Sequence, residues 1–354
     1  MIIMKKKARI AFLGCGYMGQ NAHMKNYFEQ RDDCEIVALA EARQELGKLV
    51  AARYGIPKVF TNYQDMLAGA EFDAVVAPQQ FGNHINIVPM ILESGKPLLT
   101  EKPVCISYEN GLKLAALAEK YGVPHMVAYH KRSDLASEYA KGVINEWREN
   151  GEMGSMRLLR VSMPPGDWIG GAPAPLSTDE VYPPAECEPA PPYFPGQLGE
   201  EYITFVNYYI HQVNYINFIL GEQVHVRYTD PTGTILVASG GSGIPAVLEM
   251  AAYATPHDWQ EVAFAGFERG YVRVELPAPL ADRQPGRVIV YKGAGEAPRT
   301  IEIELPRVSA MQNQAKNFIA VVRGERKPPC DSRQAAEDLR VATEYIRVKN
   351  HLEG

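Results

Sequence analysis

Hydrophobic and polar residues follow two different patterns along this chain, and the pattern changes near residue 132. Up to that point short, continuous apolar runs alternate with stretches of helical periodicity. The runs ARIAFLG, EIVALAEA, FDAVVAP and PLLTEKP each have a glycine, a proline or a charged residue within their last two positions. Continuous apolar runs are typical of strands buried on both faces. Repeated strand–helix units with short connections predict a parallel sheet with helices on both faces.

Beyond residue 132 the pattern predicts helices and strands in separate blocks. A helix at 134–149 leads into a strand in GSMRLLRVSM, and a second helix is expected at about 201–220. Segments from 224 to 305 resemble strands, and the turns DPTG, SGGSG and ERG between them favour an antiparallel meander. The chain then ends in two predicted helices, at about 311–323 and 332–349.

These patterns predict an α/β protein with a doubly wound Rossmann domain at 1–131 and an α+β domain at 132–354, whose sheet is large, open and mainly antiparallel. A proline-rich acidic arm at about 163–201 interrupts the second domain. Ten prolines between 164 and 195 exclude helix and central strand. The arm has seven acidic residues and neither lysine nor arginine, which argues against an anionic substrate. It could cover a binding site or pack on a neighbouring subunit.

Composition narrows the class of protein further. The 354 residues include 36 basic and 42 acidic ones, so we expect no nucleic-acid partner. Five scattered cysteines without CxxC spacing favour reduced thiols of a cytoplasmic protein and no metal site. We expect no membrane span, because apolar runs stay well short of ~18 residues. The start, MIIMKKK, is interpreted as basic residues before the first strand and not as a secretory signal.

A glycine pattern lies between the first predicted strand and the first predicted helix. GCGYMG has GxGxxG spacing, which allows a tight turn, backbone approach to a pyrophosphate and close helix–strand packing. The candidate cofactor-binding residues of this loop are Gly14, Gly16, Tyr17, Met18 and Gly19. Glu41 ends the second strand at the spacing expected for a carboxylate that binds ribose hydroxyls, which favours NAD. Arg43 leaves NADP open, because an arginine there could accept a 2′-phosphate.

The run PLLTEKP ends a buried strand in two opposite charges and a proline. Ligands of doubly wound sheets bind beyond the carboxyl ends of the strands, so Lys102 is expected beside the cofactor. A lysine partly removed from water has a lowered pKa and can exchange a proton with a hydroxyl. A surface lysine paired with Glu101 explains the residues equally well. A cis bond between Lys102 and Pro103 is compatible with the sequence.

GCGYMG, AVVAPQQFGNH, GKPLLTEKP and a later helix carrying His211 together resemble the Gfo/Idh/MocA family of oxidoreductases, over nearly the whole chain. The resemblance implies that Lys102 hydrogen-bonds the reacting carbinol and assists proton transfer. It also implies cofactor contacts for Pro78, His84 and Glu101, although the loop before His84 is two residues longer here. Arg132 matches a polar cluster that often lines the family's site.

His211 lies on a predicted helix between Asn207 and Asn214, at i, i+4 and i+7 on one face. The family usually has aspartates at both flanking positions, and here both are asparagines. Asparagine can orient a histidine but cannot raise its pKa as a carboxylate does. His211 is the candidate base, although a solvated polar face is the plain alternative. The residues that could share the proton transfer are Tyr129, His130 and Tyr208.

The resemblance implies an NAD-dependent enzyme that moves a hydride between the nicotinamide and a secondary hydroxyl or ketone of a sugar, glycoside or cyclitol. Two alternatives stay open: an NAD-dependent glycosidase that oxidises the sugar transiently, and a non-catalytic cofactor-sensing relative. The candidate substrate-binding residues are Tyr129, His130, Arg132, Trp168, Asn207 and Tyr208. Family members usually assemble through the second-domain sheet, which implies a homodimer or homotetramer.

Overall fold

The computed structural model describes residues 6–251, 253–295 and 297–352. They form two compact units, each built from three segments of the chain. The first unit takes in the described parts of Met1–Tyr129, Ala172–Pro192 and Gln314–Ala336; the second takes in those of His130–Gly171, Tyr193–Asn313 and Glu337–Gly354. The assignment of 1–131 to cofactor binding and 132–354 to substrate binding stays a prediction. The first residues of MIIMKKK lie outside the described part of the chain.

The first unit contains a six-stranded parallel sheet in the order β3-β2-β1-β4-β5-β6. Its strands are β1 Ala8–Leu13, β2 Cys34–Ala40, β3 Lys58–Phe60, β4 Ala74–Ala77, β5 Leu98–Thr100 and β6 His125–Val127. β1 pairs in parallel with both β2 and β4, so the order of the strands reverses between β1 and β4. At such a reversal a crevice opens beyond the carboxyl ends of the strands, and ligands of this fold bind there.

Helices connect these strands, as the sequence pattern predicts. They are α1 Lys25–Glu29, α2 Gln44–Tyr54, α3 Tyr63–Gly69, α4 His84–Glu93 and α5 Tyr108–Tyr121. The first helix differs from the expected continuous α-helix, because a π-helical turn at Gly19–Met24 precedes the short α1. Such turns are frequent at functional sites. Both α2 and α5 end on left-handed glycines, Gly55 and Gly122.

The core of the first unit lies between its sheet and its helices. Phe12 of β1 packs edge-to-face on Tyr27, with ring centroids 5.4 Å apart. Phe318 and Ile319, from the C-terminal part of the chain, belong to the same buried cluster. This cluster fixes the strands whose carboxyl ends carry the candidate cofactor residues.

The second unit contains an eight-stranded sheet in the order β14-β13-β12-β11-β7-β10-β9-β8. The strands are β7 Met156–Ser162, β8 His225–Thr229, β9 Ile235–Ser239, β10 Pro245–Glu249, β11 Val262–Phe267, β12 Gly270–Glu275, β13 Arg287–Lys292 and β14 Arg299–Glu302. The pairing is antiparallel except between β7 and β10. The expected meander is therefore interrupted, because β7 inserts between β10 and β11.

The remaining helices are α6 Leu135–Asn150, α7 Gln197–Leu220, α8 Ala310–Val322 and α9 Ser332–Lys349. α7 begins at Gln197, earlier than the expected start near residue 201. Residues 164–195 contain neither helix nor strand, apart from an isolated bridge between Gly166 and Thr255. No helix in the described part of the chain combines the length and the apolar content that crossing a bilayer requires.

Candidate active site

The glycine loop that follows β1 leaves room for a ligand at one position. Gly14 has φ +93°, and a Cβ there would lie 2.2 Å from Nε2 of Gln79. A Cβ on Gly19 would lie 3.0 Å from the Gly14 carbonyl oxygen, so both glycines are required by packing within the protein. A Cβ on Gly16 would meet only Nη2 of Arg43, at 3.8 Å. The open space at Gly16 fits the close approach of a dinucleotide pyrophosphate.

Glu41 follows β2, and its carboxylate is completely shielded from solvent. Oε2 accepts a hydrogen bond from the Cys15 backbone N–H at 2.9 Å, and Oε1 accepts one from Nε of Arg43 at 2.8 Å. Burial opposes the charge of Glu41, but the bonds from Arg43 and Cys15 outweigh it and lower the pKa of the carboxyl. A charged carboxylate is therefore present at the position that binds ribose in this fold, and Arg43 covers it.

Glu101, Lys102 and Pro103 follow β5, and the Lys102–Pro103 peptide bond is cis, as the sequence allows. The ring Nε2 of His23 lies 2.6 Å from Oε1 of Glu101, and the Lys102 backbone N–H donates to Oε2 at 3.2 Å. Burial opposes the charge of Glu101, but His23 outweighs it and lowers the pKa of the carboxyl. Lys102 itself is half-buried, at the edge of the sheet where the glycine loop lies.

The sequence did not predict the contact between His23 and Glu101. His23 lies in the π-helical turn, where neither hydrophobic periodicity nor a motif links it to a residue 78 positions later. Tyr17 and Met18 precede that turn and are half-buried.

His84 begins α4 and is fully buried. Its Nδ1 lies 3.0 Å from the Val104 carbonyl oxygen, so the ring supports the loop that carries Lys102. Burial lowers the pKa of His84 and keeps the ring neutral near neutral pH. Pro78 packs on the glycine loop, since its Cγ would lie 3.2 Å from a Cβ on Gly19. Contacts of His84 and Pro78 with a cofactor stay predictions.

In the second unit, a 3₁₀ turn at His130–Ser133 packs on α7. The rings of His130 and His211 meet edge-to-face with centroids 4.8 Å apart. Nε of Arg132 donates to Oδ1 of Asn214 at 2.6 Å, and its guanidinium lies 5.4 Å from the Phe218 ring centroid. Within this unit His130 therefore contacts His211, and Arg132 contacts the same helix one turn further on.

A buried carboxylate from α9 completes this network. Nδ2 of Asn214 donates to Oδ2 of Asp338 at 2.6 Å, and Nδ2 of Asn217 donates to Oδ1 at 2.9 Å. Asp338 is fully buried. The sequence suggested that the helix had lost its acidic partners, and the structure supplies one from another element. Asp338 was missed because nothing in the sequence of α9 distinguishes it from a surface acid.

The other candidate substrate-binding residues lie on several different segments of the chain. On α7, Asn207 is exposed and Tyr208 is half-buried, and burial raises the pKa of the Tyr208 phenol. Trp168 lies in the proline-rich arm with 38% of its surface exposed, and Tyr129 is buried at the end of the first unit's main segment. Lys131 and Glu261 form a buried ion pair at 2.9 Å that the sequence did not predict.

Residues 172–192, called the strap below, are the part of the proline-rich arm that belongs to the first unit. The strap packs on the same loops that carry the candidate cofactor residues. Gln20 exchanges two hydrogen bonds with the Leu176 backbone, both at 2.9 Å. Tyr182 donates from its phenol to Oε1 of Gln79 at 3.0 Å. Across the described residues we find no cluster of histidine, cysteine and acidic side chains suited to a metal ion.

Comparison with known proteins identifies relatives of the first unit by sequence and of both units by fold. The sequence model of the Gfo/Idh/MocA family, described as an oxidoreductase family with an NAD-binding Rossmann fold, matches residues 8–129. Inositol 2-dehydrogenase of Corynebacterium glutamicum strain R is 31% identical over 162 residues, 44% of this chain and 45% of that protein. D-glucoside 3-dehydrogenase of Escherichia coli K12 is 28% identical over 145 residues, 39% of this chain and 40% of that protein. The chain thus spans less than half the length of these curated relatives.

A solved structure of a putative NADPH-dependent oxidoreductase from Desulfitobacterium hafniense covers 99% of this chain and 97% of its own, with a TM-score of 0.75 and 15% identity. That likeness shows the fold over both units. Residues 8–129 are thus similar to the Rossmann domain of the Gfo/Idh/MocA oxidoreductase family. The predicted fold class and the predicted resemblance to this family are therefore confirmed.

Proposed function

We propose that this protein is an NAD-dependent dehydrogenase acting on a secondary hydroxyl of a sugar, glycoside or cyclitol, or on the corresponding ketone. The observation that carries the proposal is the grouping at one sheet edge of the first unit. Gly16, Glu41 and Lys102 all follow strands whose carboxyl ends lie at that edge. The named relatives, which act on inositol and on glucosides, support this substrate class.

The nicotinamide would accept the hydride, which is chemistry the protein cannot supply itself. The chain's part is to bind, orient and move a proton. Gly16 gives backbone access to the pyrophosphate, and the Glu41 carboxylate is placed for ribose hydroxyls. Glu101 is fixed by His23 and thereby holds the backbone of Lys102. Lys102 would hydrogen-bond the carbinol oxygen of the substrate.

His211 is the proposed base that removes the hydroxyl proton, with His130 beside it. Arg132 would orient polar groups of the substrate; Asn214 accepts a hydrogen bond from its Nε, and the buried Asp338 in turn holds Asn214. Trp168, Tyr129, Asn207 and Tyr208 are proposed to contact the sugar. Cytoplasmic location and assembly into a homodimer or homotetramer through the second-unit sheet are part of the same proposal.

The test is to incubate the purified protein with NAD and a panel of cyclitols, free sugars and glycosides, and to identify products by mass spectrometry. We expect a product that has lost two hydrogens, with NADH formed in equal amount. Release of sugar and aglycone without net NADH would instead indicate transient oxidation. Binding of NADH without conversion of any panel member would contradict the dehydrogenase and favour a cofactor-sensing role.

A further inference from the structure

The strap places the carboxylate of Glu180 at the N-terminus of α2, the helix that begins just after Glu41. Oε1 of Glu180 accepts the Glu45 backbone N–H at 3.1 Å, and Oε2 accepts that of Leu46 at 3.0 Å. Both N–H groups belong to the first turn of α2, whose own N-cap residue makes no side-chain cap. The first N–H groups of a helix lack partners within the helix, so Glu180 acts as a cap from a distant part of the chain. These bonds hold the pKa of Glu180 below its usual range, and the group is charged at neutral pH.

Arg43, the residue just before α2, also has partners within the protein. Its guanidinium donates to Glu41 from Nε at 2.8 Å and from Nη2 at 3.1 Å. The ring of Tyr182 covers it, with the guanidinium carbon 5.0 Å from the ring centroid. Arginine–aromatic contacts of this kind are attractive, so the strap stabilises the pairing of Arg43 with Glu41.

These two observations concern the ribose 2′ position of the cofactor, where NAD has a hydroxyl group and NADP has a phosphate. In a Rossmann site the carboxylate after β2 binds the ribose, and an arginine nearby can accept the 2′-phosphate of NADP. A helix N-terminus is a second group that favours a phosphate. Here Glu41 holds Arg43, and Glu180 holds the N–H groups of α2. Each group that could receive a 2′-phosphate is already bonded to a carboxylate of this chain.

The local charge leads to the same conclusion. Glu41 and Glu180 against Arg43 leave one net negative charge, while Glu45 and Lys48 pair with each other at 2.9 Å and cancel. A phosphate brought here adds further negative charge and is repelled, whereas a ribose 2′-hydroxyl can donate a hydrogen bond to a carboxylate. We propose that Glu180 is a specificity-determining residue through which the strap excludes NADP; this inference rests on the proposed function.

The strap has other anchors, so the role of Glu180 can be tested without releasing the segment. Leu176 is bonded to Gln20 on one side. On the other side, the Glu188 carboxylate accepts the backbone N–H groups of Ile106 at 2.8 Å and Ser107 at 2.9 Å. In Glu180→Gln the single amide oxygen can still accept from one of the two α2 N–H groups, so the charge and one cap hydrogen bond are lost while the other anchors of the strap stay. Asp179→Asn removes the same charge from the adjacent, exposed residue and is the matched control.

The experiment measures dissociation constants of NADH and NADPH for the full-length protein by the change in nicotinamide fluorescence. For the wild type we expect tighter binding of NADH. Glu180→Gln should shift the NADPH/NADH ratio of dissociation constants toward NADPH by about tenfold, and Asp179→Asn by less than about twofold. A strap that merely loosened would weaken both cofactors together, so the ratio isolates the effect of the charge.

The possible outcomes separate this inference from the proposed function. An unchanged ratio in Glu180→Gln, or an equal shift in Asp179→Asn, would overturn the role of Glu180 and leave the dehydrogenase intact. Tighter binding of NADPH by the wild type would also overturn it. Failure of the wild type to bind either nucleotide would overturn the proposed function itself.

Discussion

Lys102 is the single residue on which the proposed chemistry depends most. Its backbone is held by Glu101, which His23 fixes in turn, and its side chain is half-buried. We expect Lys102→Met to lower kcat by about 10²- to 10⁴-fold, because proton transfer by a positioned group contributes that much. The dissociation constant of NADH should change little, since binding rests on the glycine loop and Glu41. Steady-state kinetics and nucleotide fluorescence measure the two effects.

The matched control is Lys96→Met, just before the same strand. Lys96 lies 5.6 Å from the Phe72 ring centroid and belongs to no candidate site. Its replacement should leave kcat within about twofold. Equal losses in the two variants would show that a lysine near this strand matters for folding and not for catalysis.

Asp134 gives a prediction on pH. It is the N-cap of α6 and only 1% exposed, and burial raises its pKa to about 6, against hydrogen bonds from Gly286 and Ala136. Its folded pKa therefore lies above the unfolded value of about 3.9. Between these values the folded protein binds more protons, so the stability that this group contributes is present below pH 4 and is lost as pH rises through 6.

Asp134→Asn keeps the cap but cannot titrate. Relative to this variant, the free energy of unfolding of the wild type should fall by about 2 kcal/mol between pH 4 and pH 7. Urea unfolding followed by circular dichroism at a series of pH values measures the difference. Glu146→Gln, an exposed acid on the same helix, should show no such trend relative to the wild type. A difference for Asp134→Asn that stayed flat with pH would refute the assignment.

At the scale of elements, α9 contributes a buried carboxylate to α7. Asp338 accepts from the amides of Asn214 and Asn217, and Asn214 in turn accepts from Arg132. In Asp338→Asn two amide groups would face each other as donors, which should cost about 2 kcal/mol of stability. Glu337→Gln weakens a half-buried pair with Arg340 on the same helix and should cost less than about 1 kcal/mol.

A double variant makes this test specific. In Asn214→Asp/Asp338→Asn the carboxylate moves to α7, where it can accept from Arg132 and from the amide on α9, and the amide oxygen still accepts from Asn217. We expect most of the stability lost in Asp338→Asn to return, as a positive coupling between the two sites. Additive losses in the double variant would mean that the network does not act as described.

The sequence predicts an element or a contact well when the residues that form it are close together in the chain, and poorly when they are far apart. The runs that form β1, β2, β4 and β5 were recognised from their apolar residues, and the glycine loop from its spacing. The insertion of β7 beside β10 was not, because strand order is set by pairing between distant segments. The contacts of His23, Glu180 and Asp338 were missed for the same reason: each joins residues far apart in sequence.

At the scale of the whole molecule, the sheet of the second unit bears on assembly. Along β11, β12 and β13 buried residues alternate with half-buried or exposed ones, so one face packs inward and the other faces outward. The outer face is rich in aromatic side chains: Tyr271 lies 5.2 Å from Phe264 and 5.3 Å from Tyr291 between ring centroids. Aromatic surfaces of this kind are enriched at protein interfaces.

The proposed homo-oligomer would bury this face, and Phe264→Glu should therefore dissociate it. The residue is half-buried and faces outward, so the fold of the single chain should persist. In a symmetric dimer the substitution places an unpaired charge on each side, which should weaken association by about 100-fold or more. Sedimentation velocity over a range of concentrations measures this dissociation, with circular dichroism as a check on folding.

Tyr228→Glu, on the edge strand β8 with 53% of the tyrosine exposed, is the control and should leave assembly unchanged. A wild type that stays monomeric at all concentrations, or a control that dissociates as readily as Phe264→Glu, would refute assembly through this face.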